Sequence, residues 1–350
     1  MTEKIITIKT SKKDANKIIK EIKDLKNFDN RYKIKTKDEN IFIPIKKIPK
    51  DINLKKIIYF KNLEKQKQIG KNYKDFLKIE NKIPLEIIKT LPSSYDIVGD
   101  ILIINIENKE TIRNHSTKIC EALKKVNPHI KVVLNKKKEH HGIYRTQDLE
   151  WIWGDFRKET TIIENGCNIK TNVEQVFYST RLATERKRIA KLVKNDEIIG
   201  VFFAGVGPFA LTIAKLAKPK EIIAIELNPI GEKYLKENIK NNHFEKIIKP
   251  ILGDVKEISK KYKNYFDRIP MPLPKSAETF LENAIYSIKN NGIIHIYNFV
   301  SKNNPYEELE KIINKKAQEN NVKLNIIFKK IIRSFSATTV QIAMDIKIEK

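Results

Sequence analysis

The stretch from Ile198 to Leu211 constrains the fold more than any other part of the sequence. An apolar run at residues 198–203 stops at Gly205-Val-Gly207, and a helical pattern begins at Pro208. This order is typical of a buried strand, a glycine turn and a helix, where the backbone can approach a nucleotide-like ligand closely. Proline suits the first helical turn because its missing N–H would have no partner there. The stretch therefore predicts a strand–turn–helix unit of a parallel sheet, and the turn argues against a membrane span.

The downstream sequence continues this alternation. Strand patterns and helix patterns follow one another, with strands at residues 221–226, 247–251, 266–274 and 292–300 and helices at 229–241, 276–289 and 305–320. Because strands that alternate with helices pair in parallel, we predict an α/β fold with helices on both faces of the sheet. Two closing strands, near residues 322–333 and 338–348, have no helix between them and predict an antiparallel pair.

The region before the glycine turn reads as two smaller α/β modules. The first has strand patterns at residues 4–9, 32–35 and 41–46 and a helix pattern at 12–25. A lysine-rich segment at residues 57–79 predicts a linker or an exposed helix. The second has strands at residues 101–106 and 130–134 and a helix at 110–125, and three strand patterns at 160–164, 167–171 and 175–178 then lead into the glycine turn. We predict three domains, at residues 1–67, 68–160 and 161–350.

The charge balance indicates a polyanionic partner. The chain of 350 residues has 69 Lys and Arg against 43 Asp and Glu, a net charge of +26. Basic proteins bind nucleic acid because each neutralised phosphate releases condensed counterions. An alternative is compositional drift, since the sequence is crowded with Lys, Ile and Asn, as A/T-rich codons would produce.

The cysteines and histidines predict no metal site. The two cysteines, Cys120 and Cys167, have no metal-ligand spacing, and the six histidines do not cluster with them. Unpaired cysteines are typical of a reducing compartment. The N-terminal residues alternate like a strand and have no signal-peptide core, so we expect a cytoplasmic protein.

A ligand site is predicted where the parallel strands end, since ligands of open α/β sheets bind at the carboxyl ends of the strands. Glu226 lies 21 positions after Gly205, a distance at which an acidic side chain can accept both hydroxyls of a ribose. Asp254 closes the third strand, where an adenine edge would lie. The third glycine that packs a helix under a pyrophosphate is missing. The pattern therefore favours a nucleoside without phosphates, such as S-adenosylmethionine.

Five ordered motifs carry a resemblance to a known family. They are Tyr178-Ser-Thr-Arg-Leu-Ala-Thr-Glu-Arg186, Phe203-Ala-Gly-Val-Gly-Pro-Phe209, Glu226-Leu-Asn-Pro229, Ile251-Leu-Gly-Asp-Val255 and Met271-Pro-Leu-Pro-Lys275. Together they resemble the archaeal and eukaryotic tRNA (guanine-N1)-methyltransferases, which act on guanosine 37. The match runs from about Gly142 to the C-terminus. It implies a class I, Rossmann-like S-adenosylmethionine-dependent methyltransferase domain behind two smaller α/β RNA-binding domains, working as a monomer on tRNA.

The resemblance also implies roles for individual residues. Glu185 matches the family's general base, and Arg145 matches the arginine that stabilises charge on O6 of guanine. Three further positions match substrate contacts, namely Phe177, Arg181 and Pro274. Eleven match the cofactor site: Arg186, Phe203, Ala204, Gly205, Gly207, Glu226, Leu227, Asn228, Asp254, Val255 and Pro272. The alternative for Glu185 is a structural ion pair with Arg181 or Arg186.

Two positions depart from the family pattern. Pro272 stands where an asparagine is common, and a proline has no side-chain donor. Gly200 and Val201 stand where an acidic residue often precedes the glycine turn, which puts the contacts to the methionine end of the cofactor in question. Two alternative functions stay open at this point: a wyosine-pathway methyltransferase acting on a tricyclic guanine derivative, and a catalytically inactive RNA-binding protein.

Overall fold

A computed structural model describes residues 5–29, 32–49, 57–60, 72–80, 82–137, 141–273 and 275–350. The chain divides into two compact units, Met1–Ile88 and Lys89–Lys350. The division of residues 1–160 into two domains at 67/68 stays a prediction. Within the described ranges, none of the helices combines the length and apolar character that crossing a bilayer requires.

The first unit is built on a four-stranded sheet with one packed helix. Its elements are β1 (Ile5–Ser11), α1 (Ala15–Asp24), β2 (Lys35–Lys37), β3 (Asn40–Pro44), β4 (Ile57–Phe60) and α2 (Tyr73–Ile79), with α3 (Leu85–Thr90) next along the chain. The strand order is β2-β3-β1-β4. Ile22 of α1 packs against the strand residues Ile8 and Ile43 in the core.

The interpretation of residues 57–79 as a linker or exposed helix was wrong at 57–60 and 72–79, and the remaining residues, 61–71, lie outside the described residues. Residues 57–60 form β4, an edge strand that pairs antiparallel with β1. The Thr7 hydroxyl donates a hydrogen bond of 2.7 Å to the carbonyl of Ile58 and reinforces this pairing. In α2, the side chains of Tyr73 and Leu77 are buried, so this helix is not an exposed one despite its lysines.

The second unit begins with a four-stranded sheet and a hairpin. Its elements are β5 (Asp96–Val98), β6 (Ile101–Ile104), α4 (Lys109–Val126), β7 (Val132–Lys136), β8 (Leu149–Gly154), β9 (Glu159–Glu164) and β10 (Cys167–Asn172). The sheet order is β5-β6-β7-β8, with β6 and β7 parallel across α4. The Asn108 side chain caps α4 by accepting from the backbone of Glu110 and Thr111.

The predicted large sheet is confirmed. Its elements are α5 (Ala183–Leu192), β11 (Ile198–Phe202), α6 (Pro208–Leu216), β12 (Glu221–Glu226), α7 (Pro229–Asn241), β13 (Ile248–Leu252), α8 (Val255–Ile258), β14 (Phe266–Met271), α9 (Leu281–Ser287), β15 (Ile288–Ser301), α10 (Glu307–Glu319), β16 (Lys323–Ser334) and β17 (Thr339–Glu349). The order is β13-β12-β11-β14-β15-β17-β16. Strands β11 to β15 pair in parallel, and β17 is antiparallel to both neighbours, as the missing helix predicts.

Apolar residues on both faces of the central strands explain why this sheet is buried. The sheet contributes to two clusters of buried apolar residues. On β11, Ile199 and Val201 belong to one of these clusters and Phe202 belongs to the other. On β12, Ile222 and Ile223 are divided in the same way. Successive side chains of a strand point to opposite faces, so a continuous apolar run produces two cores. The prediction of helices on both faces is confirmed.

Some local boundaries differ from the predictions. Residues 175–178 form no strand, because the Asn172 side chain accepts from the backbone N–H of Glu174 and Gln175 and turns the chain. The predicted helix at 276–289 is a 3-10 turn, Ala277–Phe280, followed by α9, and the Ser276 side chain makes no capping bond.

Candidate active site

A cavity of about 480 Å³ opens at the carboxyl ends of β11, β12, β13 and β14. Its lining comes from the ends of these strands, from the loop before β8 and from the loop after β14. The lining residues are Gly142, Ile143, Tyr144, Arg145, Val176, Phe177, Phe203, Gly205, Glu226, Leu227, Asn228, Gly253, Asp254, Val255, Pro272, Leu273, Lys275, Ser276 and Phe280.

The glycine turn forms the floor of this cavity. The N–H of Ala204 donates to the carbonyl of Ile225 at 2.9 Å and ties the end of β11 to β12. Gly205 has φ of 57°, and its N–H donates 2.6 Å to Oε2 of Glu226. Gly207 precedes α6 with φ of 91°, a left-handed conformation that favours glycine. The turn therefore brings backbone, with no side chain, to the cavity wall.

Glu226 is held by backbone donors. Besides Gly205, the N–H of Asn228 donates to its Oε1 at 2.8 Å. Burial raises the pKa of Glu226, and the backbone bonds from Asn228 and Gly205 act in the opposite direction. Asn228 in turn caps α7 through the N–H of Ile230 at 3.0 Å. The carboxylate is thus fixed at the end of β12, where the backbone of Leu227 also hydrogen-bonds to it.

Asp254 closes the next strand in the same manner. Its Oδ1 accepts from the N–H of Lys256 at 2.8 Å and caps α8. Its other carboxylate oxygen makes no hydrogen bond within the described ranges. Above the glycine turn, the ring of Phe203 meets that of Phe280 edge-on, with 4.8 Å between centroids. The cavity therefore combines two carboxylates with an apolar aromatic wall.

Arg145 and Phe177 form another part of the cavity wall. The Arg145 guanidinium lies over the Phe177 ring, 4.3 Å from its centroid. Burial lowers the pKa of Arg145, and the nearby charge of Arg333 lowers it further. Arg145 has φ of 54°, an uncommon conformation for a non-glycine residue. A cation and an aromatic face are thus held together beside the glycine turn.

Glu185 is placed elsewhere. It lies on α5, is 5% exposed, and lines neither this cavity nor its neighbour. Its carboxylate accepts hydrogen bonds from Arg188 at 2.7 Å and from the Tyr297 hydroxyl at 2.9 Å. Arg188 also donates to Asp345, at 2.7 and 2.9 Å. An ion pair does exist at Glu185, but the predicted partners, Arg181 and Arg186, were wrong.

Those two arginines pair with other carboxylates. Arg186 is 2% exposed and donates twice to Glu164, at 2.5 Å each, and once to the Ser179 carbonyl at 2.9 Å. Arg181 pairs with Asp96 at 2.5 Å. Arg186 therefore supports the hairpin β9–β10 from within and does not reach the cavity wall.

The cavity brings together ten of the predicted site residues: Arg145, Phe177, Phe203, Gly205, Glu226, Leu227, Asn228, Asp254, Val255 and Pro272. Ala204 and Gly207 support the turn behind the wall, and Arg181 lines a neighbouring cavity. Pro274 lies outside the described residues. Sequence reasoning missed several lining residues, chiefly Ile143, Tyr144, Leu273, Lys275 and Phe280. Tyr144 could have been found from its place beside Arg145, whereas the helix pattern around Phe280 holds no such signal.

Packing explains the Gly200 departure. A Cβ at Gly200 would lie 2.9 Å from the Phe266 ring, which is fully buried on the neighbouring strand β14. An acidic side chain there would displace this ring from the core. Pro272, the other departure, lines the cavity and can offer its carbonyl only.

The donor set suits a nucleoside better than a metal. Among the described residues, no group of three or more His, Cys, Asp or Glu side chains could hold a metal ion. The Glu226 carboxylate, the open Asp254 oxygen and the apolar surface of Leu227 and Phe203 match ribose hydroxyls, an exocyclic amine and an adenine face. These residues therefore fit S-adenosylmethionine.

Comparisons with known families agree with this geometry. The model described as "TRM5/TYW2 methyltransferase domain" matches residues 160–326. Models described as "TYW2 N-terminal domain" and "tRNA methyltransferase 5 N-terminal domain" match residues 73–158 and 7–53.

Two curated relatives illustrate the range of similarity. The tRNA (guanine(37)-N(1))-methyltransferase Trm5b of Pyrococcus abyssi is 36% identical over 344 residues, 98% of this chain and 99% of that protein. The tRNA 4-demethylwyosine(37)-methyltransferase Taw21 of Saccharolobus solfataricus is 32% identical over 253 residues, 72% of this chain and 92% of that protein.

Solved structures of related proteins extend the similarity to the fold. The crystal structure of Trm5b from Pyrococcus abyssi superposes on this chain with a TM-score of 0.78 at 34% identity, covering 99% of both chains. The complex of aTrm5 with tRNALeu gives 0.72 at 32% identity, covering 98% of this chain and 99% of that one. Methanocaldococcus jannaschii Trm5 in complex with adenosine gives 0.65 at 29% identity, covering 99% of both. The large sheet has the class I methyltransferase fold, and the chain belongs to the TRM5/TYW2 methyltransferase family.

Proposed function

We propose that this enzyme transfers a methyl group from S-adenosylmethionine to N1 of guanosine 37 in tRNA. The observation that carries the proposal is a single cavity with two chemically different walls. Glu226 and Asp254 lie on the wall suited to a nucleoside cofactor, and Arg145 and Phe177 lie on the wall suited to a purine substrate. Two relatives that match 98% and 91% of this chain are named for methylation of guanine 37 at N1, which supports this substrate.

The cofactor would be held by the strand ends. Glu226 would accept from the ribose hydroxyls with its remaining lone pairs, and Asp254 from the adenine amine. Leu227 and Phe203 would pack against the adenine face, and Gly205 would let the backbone approach. Bound S-adenosylmethionine supplies an electrophilic methyl group.

Arg145 would stabilise the charge that develops on the guanine. N1 carries a proton, and its loss during methylation moves negative charge to O6. A fixed guanidinium aimed at developing charge lowers a barrier most effectively inside a site that excludes water. Phe177, directly under Arg145, would stack on the base. Arg181 and Pro274 are proposed as further substrate contacts.

Glu185 is proposed as the general base that removes the N1 proton. Its carboxylate is engaged by Arg188 and Tyr297, so accepting a proton from substrate requires an exchange of these partners within the buried network. Geometries of catalytic hydrogen bonds commonly tighten only when the substrate is bound. Arg186 lines neither cavity, so its proposed contribution to the cofactor site is to hold the chain before α5 through Glu164 and the Ser179 carbonyl.

The tRNA would be held by the smaller α/β modules and the basic surface. A net charge of +26 supplies the electrostatic attraction that nucleic-acid binding requires. We propose the domains at residues 1–67 and 68–160 for this role, with the protein acting as a cytoplasmic monomer.

Nucleoside mass spectrometry tests the proposal. An unmodified tRNA transcript with G37 is incubated with enzyme and S-adenosylmethionine, digested and analysed for 1-methylguanosine. A matched transcript with A37 should give no product. Methylation only of tRNA that carries a tricyclic guanine derivative would instead assign the wyosine-pathway alternative. If no tRNA is methylated, the result would support the alternative of a catalytically inactive RNA-binding protein.

A further inference from the structure

A second cavity, of about 600 Å³, adjoins the candidate active site. The two share four lining residues: Arg145, Val176, Phe177 and Lys275. The two cavities therefore adjoin at Arg145 and Phe177.

Positive charge dominates the second cavity. Its described lining contains five cationic side chains and a single carboxylate, Asp96; the cations are Lys136, Arg145, Arg181, Lys275 and Arg333. Asp96 is already shared, by Arg181 at 2.5 Å and by Lys136 at 3.7 Å. Burial lowers the pKa of Arg333, and the charge of Arg181 lowers it further. Cations that repel one another in a half-buried space create a favourable position for an anion.

Arg333 is fixed by the sheet. Phe299 of β15, Gln341 of β17 and Arg333 of β16 form one row across three paired strands. The buried side chain of Gln341 accepts from Nε of Arg333 at 2.8 Å. No carboxylate of a described residue lies within ion-pair distance of Arg333, and its two terminal nitrogens make no hydrogen bond in the described ranges. Four N–H donors are thus presented on a rigid strand.

An aromatic pair completes the cavity. Phe335 follows at the β16–β17 turn, and its ring lies 4.5 Å from that of Phe299, centroid to centroid. The Ser336 hydroxyl oxygen accepts from the N–H of Thr339 at 3.0 Å and holds the turn. Phe335 is nevertheless 55% exposed. A large exposed ring beside a guanidinium cluster is the combination with which proteins bind an unstacked nucleotide.

We propose that this second cavity binds the nucleotide adjacent to the target guanosine, with its phosphate on Arg333 and its base on Phe335. Arg145 and Arg181 flank the same phosphate. The inference rests on the proposed function, because it assumes that the target base lies at the junction of the two cavities. It assigns the β16–β17 hairpin a role in placing the RNA strand.

Stacking is tested by combining Phe335→Ala with RNA that lacks the adjacent base. The probes are full-length G37 transcripts with an abasic nucleotide on the 5′ or the 3′ side of the target, and affinity is measured by fluorescence anisotropy. Phe335→Ala should raise the Kd of the intact transcript about tenfold, the usual effect of losing a base–aromatic stack. One abasic transcript should weaken wild-type binding by a similar factor and should cost the variant nothing more. Ile327→Ala removes another half-exposed apolar side chain of β16 and should leave affinity unchanged.

The phosphate contact is tested by salt dependence. Arg333→Gln should reduce the slope of log Kd against log salt by about one unit, as loss of one phosphate contact does. Lys330→Gln removes an exposed charge from the same strand, outside both cavities, and should leave the slope unchanged. Melting temperatures of all variants show whether the hairpin remains folded.

The outcomes separate the two proposals. Suppose that the affinity losses from Phe335→Ala and from each abasic transcript simply add, and that the wild-type enzyme still methylates the intact transcript. The adjacent-nucleotide site is then overturned, and the proposed function stands. If the wild type binds tRNA with the predicted coupling but forms no 1-methylguanosine, the proposed function fails and the binding site stands. An unchanged salt slope in folded Arg333→Gln would remove the phosphate assignment.

Discussion

Glu185 lies in a buried ion-pair network, where a carboxylate can stabilise the fold as readily as it can accept a proton. Removing one member of such a network leaves an unpaired buried charge and is strongly destabilising. Rate and stability therefore have to be measured on the same protein. Glu197, whose carboxylate pairs with the buried Arg268, offers a comparable ion pair as a control.

If Glu185 is the general base, Glu185→Gln should lower single-turnover methylation about 10²-fold or more, the usual range for losing such a group. Cofactor and tRNA affinities should hardly change. Glu197→Gln should lower the melting temperature without this loss of rate. A Glu185→Gln protein that is less stable but turns over normally would assign Glu185 a purely structural role.

Arg145→Ala should raise the barrier to methyl transfer by about 2.7–4 kcal/mol, the range measured for removing one oxyanion donor. The reason is that the guanidinium is held in place over Phe177, where it faces the charge that develops on the base. Single-turnover rates at saturating tRNA and cofactor measure the effect. Arg113→Ala removes an exposed arginine away from both cavities and serves as control. A full rate in Arg145→Ala would exclude the assigned role.

At the scale of elements, the two glycines of the turn between β11 and α6 differ in how closely their neighbours pack. A Cβ at Gly205 would meet only the Phe177 carbonyl, at 3.7 Å. A Cβ at Gly207 would lie 2.5 Å from Cδ1 of Leu235, which is fully buried on α7. Both residues have positive φ, but only Gly207 also lies against the core.

Gly205→Ala should lower the free energy of unfolding by about 1–2 kcal/mol, the cost of a left-handed alanine. Gly207→Ala should lose the same amount plus about 1–3 kcal/mol for overpacking against Leu235. Urea unfolding of the two variants, side by side, measures the difference. Equal losses would mean that α7 moves away without cost.

A second element-scale prediction concerns the network that joins α5, β15 and β17. Burial favours the neutral form of Asp345, but hydrogen bonds from Arg188 and His295 outweigh it and lower the pKa of Asp345 to about 2. A carboxyl group with a lowered pKa stabilises the fold fully above its unfolded value, and this contribution is lost as pH falls through the folded value.

Wild-type protein should therefore lose about 2 kcal/mol of stability through Asp345 as pH falls from about 4 to about 2, by linkage. Asp345→Asn should be less stable at neutral pH, because Arg188 and His295 lose their partner, and should show a weaker dependence on pH in this window. Urea unfolding at a series of pH values measures both. An identical acid dependence in the two proteins would contradict the assignment.

For the whole molecule, the net charge of +26 predicts that tRNA affinity falls steeply as salt rises, with a log–log slope of several units. The cause is counterion release, which scales with the number of neutralised phosphates. Cofactor binding, which involves no phosphate, should depend little on salt and serves as the internal control. If tRNA affinity does not depend on salt, the excess of lysine is explained by codon composition instead.

The sequence by itself determined the large sheet and the cofactor end of the site. Strands and helices alternate visibly, and parallel strands of one sheet end at the same edge. Gly205, Glu226 and Asp254 therefore had to converge once their strands were recognised, and the structure places all three on one cavity wall. The strand at residues 57–60 was missed because its four apolar residues, Ile57-Ile-Tyr-Phe60, are a short run between lysines.

Only the tertiary structure decided which charged groups meet. Arg186 and Glu185 are neighbours in sequence, yet one pairs with Glu164 and the other with Arg188 and Tyr297, because they point in different directions from α5. The row of Phe299, Gln341 and Arg333 depends on strand register, which spacing along the chain does not encode. A buried side chain takes its partner from whichever elements pack against it, and that choice is made by the assembled core.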